Sequence, residues 1–321
     1  MNMAIEALRA KTPGLDRRKF QHPDVTAKGE RRAEVALRNL ATLWINTGTL
    51  CNLTCTNCYM ESSPTNDRLV YIGAAEVASY LDEIAALHLG TREIGFTGGE
   101  PFMNPDLCAM LDDALTRGFE VLVLTNAMKP MQHRQSELLR LREKFGARLK
   151  LRVSVDHYTP AWHEMERGAR SWAPMLAGLK FLADNGFNVA AAGRTCWSEG
   201  EAQLRAGYRR LFAEHAIEID VEDPNRLVLF PEMDASLDVP EITTACWDIL
   251  KVDPDSMMCA SQRMIVKRRG DARPSVMPCT LLPYDRQFDM GSSLADAQTP
   301  VKLNHPHCAR FCVLGGGSCS A

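Results

Sequence analysis

The chain has 321 residues, of which 45% are hydrophobic and 24% charged, and its formal net charge is −3. That composition is ordinary for a soluble globular protein, with length for one large domain or a barrel with a small appendage. The near-neutral balance argues against nucleic acid or an anionic membrane as a partner. No run approaches the ~18 apolar residues that a membrane span needs. The stretch from Met1 to Lys28 is polar and has no secretory-type apolar region, so the expected location is the cytoplasm.

Residues 1–40 read as an irregular or helical lead-in, and Leu43–Asn46 as a short strand. Val77, Leu81, Ile84 and Leu87 keep helical spacing up to a stop at Gly90. Glu93–Phe96 reads as a strand. Asn104 and Pro105 then open a helix carrying Leu107, Leu111 and Leu115, closed by Gly118. Val121–Leu124 is wholly apolar, as in a buried parallel strand. A polar helix over 134–145, the alternating strand Leu149–Val153, a helix over 173–185 and a strand Phe187–Ala191 follow. A helix over 200–215 and the strand Arg226–Phe230, stopped by Pro231, complete the series. Strand–helix alternation implies right-handed βαβ units around a parallel sheet. The expected fold is therefore α/β, a partial (β/α)6 TIM-type barrel over 41–239. Its chemistry should sit on loops after the strands' C-terminal ends.

From residue 240 to 321 the pattern changes to a small Cys-rich extension. Arg263–Lys267 and Ser275–Met277 could pair as a hairpin around Arg269-Gly270-Asp271. The basic run Lys267-Arg268-Arg269 reads as part of a solvated turn. So small a piece, poor in apolar residues, usually needs a metal to hold it.

Eleven cysteines are the anomaly. In a reducing compartment they point to metal binding or catalysis before disulfides. Cys51, Cys55 and Cys58 form a C-x3-C-x2-C loop directly after a strand. Soft thiolates suit an iron–sulfur cluster or zinc. A trio leaves one corner of a cubane open, whereas structural zinc sites usually take four ligands; the spacing alone leaves both open. Thr97-Gly98-Gly99-Glu100-Pro101 follows the next strand. Its glycines allow a ligand against bare backbone, Glu100 can accept from an ammonium group, and Pro101 stiffens the turn.

With these two motifs in this order, the chain resembles the radical S-adenosylmethionine (SAM) superfamily across roughly residues 40–232. The resemblance implies a [4Fe–4S] cluster on Cys51, Cys55 and Cys58, with SAM chelating the open iron. Gly98, Gly99, Glu100 and Pro101 would form the turn that meets its methionyl amine. Asn57 stands where most members carry an aromatic, and Tyr59 follows the third cysteine, so Tyr59 is the candidate adenine contact. Asn126, Ser154 and Arg167 resemble polar SAM contacts. Asp156 and Arg194 could be ligands or structural residues, and His157 and His163 read as substrate-side or surface histidines. No catalytic side chain is assigned. Cys108 looks like packing, and Cys196 is open.

Cys259, Cys279, Cys308, Cys312 and Cys319 resemble a shortened auxiliary-cluster (twitch or SPASM-like) extension. Four of them would hold a second [4Fe–4S] cluster; Cys246, His305 and His307 are outside candidates. The implied activity is reductive cleavage of SAM to a 5′-deoxyadenosyl radical that abstracts hydrogen. The substrate would be a ribosomal peptide or a small molecule, and a flavodoxin- or ferredoxin-like low-potential donor would supply electrons. A non-catalytic metal scaffold is the third reading, and Gly98-Gly99-Glu100-Pro101 argues against it.

Overall fold

Successive residues of a strand point to opposite faces, and in this chain each face meets a different hydrophobic body. The computed structural model describes residues 13–195, 197–231 and 233–318. Its strands are β1 (Glu34–Val35), β2 (Thr42–Asn46), β3 (Glu93–Thr97), β4 (Glu120–Thr125) and β5 (Leu149–Asp156), then β6 (Asn188–Arg194), β7 (Leu227–Phe230), β8 (Gln262–Val266), β9 (Ser275–Met277) and β10 (Val301–Lys302). Eight of them form one sheet in the order β7-β6-β5-β4-β3-β2-β8-β9. The strands β2 to β7 are all parallel.

The crossovers are helical. They are α1 (Ala74–Ala86), α2 (Leu107–Thr116), the short α3 (Lys129–Gln132), α4 (Gln135–Phe145), α5 (Pro160–Arg167), α6 (Trp172–Asp184) and α7 (Glu201–Glu214), with α8 (Cys246–Leu250) further on. Leu43, Ile45, Ile94, Phe96, Val121, Val123, Leu149, Leu151, Val153 and Val189 face these helices in one core. The opposite face, which carries Trp44, Leu122, Met264 and Met277, packs against the C-terminal segment. The fold is thus the α/β partial barrel expected, with its concave side filled by the chain's own last quarter.

Two differences from the sequence reading have physical causes. The expected hairpin forms, but it joins the main sheet: β8 lies parallel to β2, and β9 antiparallel to β8. Nothing local in 262–277 encodes that non-local pairing. The helix expected from Asn104 starts instead at Leu107. Asn104 turns inward, its amide donating to the carbonyls of Thr47 and Ile72 at 3.1 and 3.0 Å.

The lead-in and the C-terminal segment also hold each other. β1 pairs with β10, and the buried Arg32 and Glu241 meet at 2.5 Å. Among the described residues no helix is long and apolar enough to cross a membrane.

Candidate functional site

The first cysteine loop leaves the C-terminal end of β2, and the Gly-Gly turn leaves that of β3, so parallel pairing sets them side by side. The turn is pressed against the cysteine loop's root. A Cβ on Gly99 would lie 2.1 Å from the carbonyl oxygen of Leu50, and one on Gly98 would lie 2.4 Å from that of Gly48. Gly98 also has φ +141. Both glycines are therefore required by backbone against backbone, whatever else their bare surface serves.

One cavity gathers most of the sequence candidates. Cys51, Cys55, Cys58, Tyr59, Gly98, Gly99, Asn126, Ser154 and Arg167 line it, as do Asp156 and Arg194. The apolar part of the lining is Leu124, Phe230, Met233, Leu281 and Phe311. Leu281 and Phe311 come from the C-terminal extension, so that segment builds part of the same chamber.

The sulfurs have the surroundings of ligands in a dry place. The backbone N–H of Leu53 donates to Cys51 Sγ and that of Ser62 to Cys58 Sγ, each at 3.4 Å. Burial, then the nearby Glu100 charge, pushes the Cys51 thiol up to about 12. Burial also raises Cys55, with Arg167 opposing. Thiolates at these positions need a cationic partner, which the irons of a cluster provide. Among the described residues no three His, Cys, Asp or Glu side chains are grouped to hold one metal ion. A cubane asks for a different arrangement, since each cysteine binds its own iron.

A charged network fixes the loop. The bend at β5's end brings Asp156, with φ 43, between two arginines. Arg167 meets it at 2.7 Å and Arg194 at 3.6 Å. Burial alone would raise the Asp156 carboxyl, but Arg167 and then Arg194 outweigh it and hold it below its usual value. Arg194 also donates to the Asn57 carbonyl at 3.0 Å. The Glu166 carboxylate accepts from the Asn57 backbone N–H at 2.9 Å and from its side-chain amide at 2.8 Å. Asn57 thus clamps the cysteine loop to α5, a use no aromatic could serve.

Glu100 and Pro101 are buried and do not line the cavity. Glu100 accepts from Thr125 Oγ1 and the Asn126 N–H, both at 2.8 Å, and from the Phe102 N–H at 3.3 Å. It therefore ties the loop after β3 to the loop after β4. Burial raises its carboxyl to about 7 from an ordinary 4.5. Between those values the folded chain holds a proton that the unfolded chain has released, so this group makes stability fall as pH rises through the window. Glu100→Gln is expected to abolish that slope. It should also cost about 1–3 kcal/mol, because the amide nitrogen must face an N–H or hydroxyl donor. Urea titrations at pH 5 and pH 8 read both effects.

His157 and His163, read from the sequence as substrate-side or surface residues, are neither: both are buried and neither lines the cavity. His157 Nε2 is 2.9 Å from Glu199, and His163 Nδ1 is 2.7 Å from the Val155 carbonyl. Both buttress the end of β5. Sequence reasoning missed Arg152 and the apolar wall, which also line the chamber. The alternation Lys150, Arg152, Ser154 carried the signal: that polar face turns into the barrel instead of toward solvent.

Of the second cysteine group, Cys259, Cys279 and Cys308 are buried in the concave-side core. Burial, then the proximity of Cys279 and Cys259, raises Cys308 well above the ordinary thiol value. Cys312 is half-buried beside this core, on a wide helical turn, Cys308–Val313. Cys246 is engaged by Thr243, whose N–H and hydroxyl both lie 3.4 Å from its sulfur. Cys319 and Cys196 lie outside the described residues.

Comparisons with known proteins agree with this geometry. The antilisterial bacteriocin subtilosin biosynthesis protein AlbA of Bacillus subtilis is 31% identical over 143 residues, 44% of this chain and 30% of that protein. The GTP 3′,8-cyclase of Tolumonas auensis is 29% identical over 43% of this chain and 39% of its own length. The chain thus spans well under half of these relatives. Among solved structures, Streptococcus suis SuiB bound to its precursor peptide SuiA has the same fold, with TM-score 0.58 and 13% identity over 88% of this chain and 67% of that one. Residues 45–198, just under half of the chain, match the Radical SAM superfamily; this segment holds both motif loops and most of the cavity lining.

Proposed function

We propose that this protein is a radical SAM enzyme acting on a peptide, with a second iron–sulfur cluster in its C-terminal extension. The observation that carries the reading is the shared cavity, lined by three thiols, by the Gly98-Gly99 turn packed against their loop, and by an apolar set of side chains. The donor set fits the cofactors. Cys51, Cys55 and Cys58 would hold a [4Fe–4S] cluster, and the peptide groups of Gly98 and Gly99, with Tyr59, Asn126, Ser154 and Arg167, would surround SAM. When bound, this pair supplies reductive cleavage of SAM and abstraction of a substrate hydrogen.

The chain's own residues do the rest. The N–H groups of Leu53 and Ser62 spread negative charge from two sulfurs. Asp156, Arg167, Arg194 and Glu166 keep the cysteine loop in register. Leu124, Phe230, Met233, Leu281 and Phe311 exclude water, which protects a reactive intermediate from quenching. Cys259, Cys279, Cys308 and Cys312, with Cys319 as the alternative fourth, would hold the second cluster.

The similarity to a bacteriocin biosynthesis protein and the shared fold with a precursor-peptide complex support a peptide substrate. The apolar wall suits an aliphatic or aromatic side chain better than a triphosphate. A small-molecule substrate is the second reading, favoured by the likeness to GTP 3′,8-cyclase. Anaerobic reconstitution with iron and sulfide counting, followed by a 5′-deoxyadenosine assay with SAM and reductant, tests the proposal. About eight irons per chain are expected for two clusters. About four would remove the second cluster, and no 5′-deoxyadenosine would remove the activity.

A further inference from the structure

Beside the cysteine loop lies a second, open hollow, lined by Asn52, Phe102, Met128, Lys129, Pro130, His133, Arg134, Arg170 and Pro174 and sharing no lining residue with the cavity. Four of these side chains are basic and none is acidic. Lys129, His133 and Arg170 are exposed. Arg134 is partly offset by Glu137 at 3.2 Å. On a chain whose net charge is −3, such a local excess of positive charge is a departure that calls for a cause.

The wall between hollow and cavity is thin. Asn52 follows Cys51 directly, lines the hollow, and accepts from the Asn126 side-chain amide at 2.9 Å. Asn126 in turn lines the cavity and reaches toward Cys51 Sγ at 4.0 Å. Met128 Sδ completes the contact, 3.9 Å from the Asn52 amide. A redox protein seated in the hollow is thus separated from the first cysteine by little more than one layer of side chains.

We propose that this hollow is the docking site for the electron donor, a small acidic ferredoxin. The inference rests on the proposed function, since it needs a cluster at Cys51, Cys55 and Cys58. An acidic face is steered by Lys129, His133, Arg134 and Arg170 and repelled by the rest of the negatively charged chain. One electron is transferred. An iron of the donor's cluster goes from ferrous to ferric, and the acceptor cluster is reduced by one electron, with no proton moved.

The test compares the reconstituted wild-type protein with K129E/R170E and the milder K129Q/R170Q. Each is supplied either with a reduced acidic ferredoxin or with dithionite. With ferredoxin, cluster reduction followed by absorbance bleaching should slow at least tenfold in the reversal variant and less in the neutralised one. Its dependence on salt should flatten, and calorimetric affinity for oxidised ferredoxin should fall in parallel. With dithionite, the rates and iron contents should match wild type within about twofold. Equal rates for all three proteins with ferredoxin would overturn the docking proposal, as would no ferredoxin reduction of a wild type that dithionite does reduce. Parallel losses with both reductants would also overturn it. Failure of wild type to be reduced by either reagent would instead remove the cluster reading beneath it.

Discussion

Replacing Cys55 with alanine is expected to lower the iron content by about four per chain and to cut 5′-deoxyadenosine formation at least about 1000-fold. Two cysteines cannot retain a cubane that three were needed to hold. Cys51 and Cys58 bound the same short loop, and the second cysteine group is committed to the concave-side core, where Cys259, Cys279 and Cys308 are buried. Loss of the cluster should not unfold the chain, because the sheet and helix cores are built without it. Cys108→Ala is the control. Cys108 sits on α2 and does not line the cavity, so its iron count should stay at the wild-type value. Iron and sulfide assays on both variants, with circular dichroism to confirm folding, decide the matter.

Asp156→Asn is expected to destabilise the protein by about 3–5 kcal/mol, because it removes the carboxylate shared by two largely buried guanidinium groups. Asparagine is the right replacement. It tolerates the left-handed backbone at φ 43, as aspartate does, so the loss reports charge and not strain. The carboxyl of Asp156 is held below its ordinary 3.8. Its stabilisation is therefore full above that value and lost as pH falls through the depressed folded value. The stability gap between wild type and variant should be widest near neutral pH and shrink below pH ~4. The released Arg194 and Arg167 should also loosen the Asn57 clamp, so the variant should reconstitute with less iron. Urea unfolding across pH, beside an iron count, reads both effects.

Much of this was legible in the sequence because the signals were local. The wholly apolar Val121–Leu124 run, the spacing of Val77, Leu81 and Ile84, and the two motif loops each carry their meaning within a dozen residues. Parallel strand order then places both loops at one end. What was hidden depends on non-local pairing. No pattern in Gln262–Val266 says that it lies beside β2, and none in Phe311 says that it walls the cavity. Glu100 reads as a ligand in its motif, yet its carboxylate points to Thr125 and Asn126, a choice set by packing against β4. Arg152 was only one polar position in the alternating run Leu149–Val153, because a barrel lumen and solvent leave the same alternation.

The central claim is that SAM binds the open corner of a cluster held by Cys51, Cys55 and Cys58. The most direct test is electron paramagnetic resonance on the reduced, reconstituted protein before and after SAM is added. Because the proposed second cluster would contribute its own signal, Cys55→Ala serves as the reference. The account predicts a signal that is missing in the variant and that changes shape when SAM reaches the wild type. A wild-type spectrum that is unmoved by SAM, or that the variant reproduces, would contradict it.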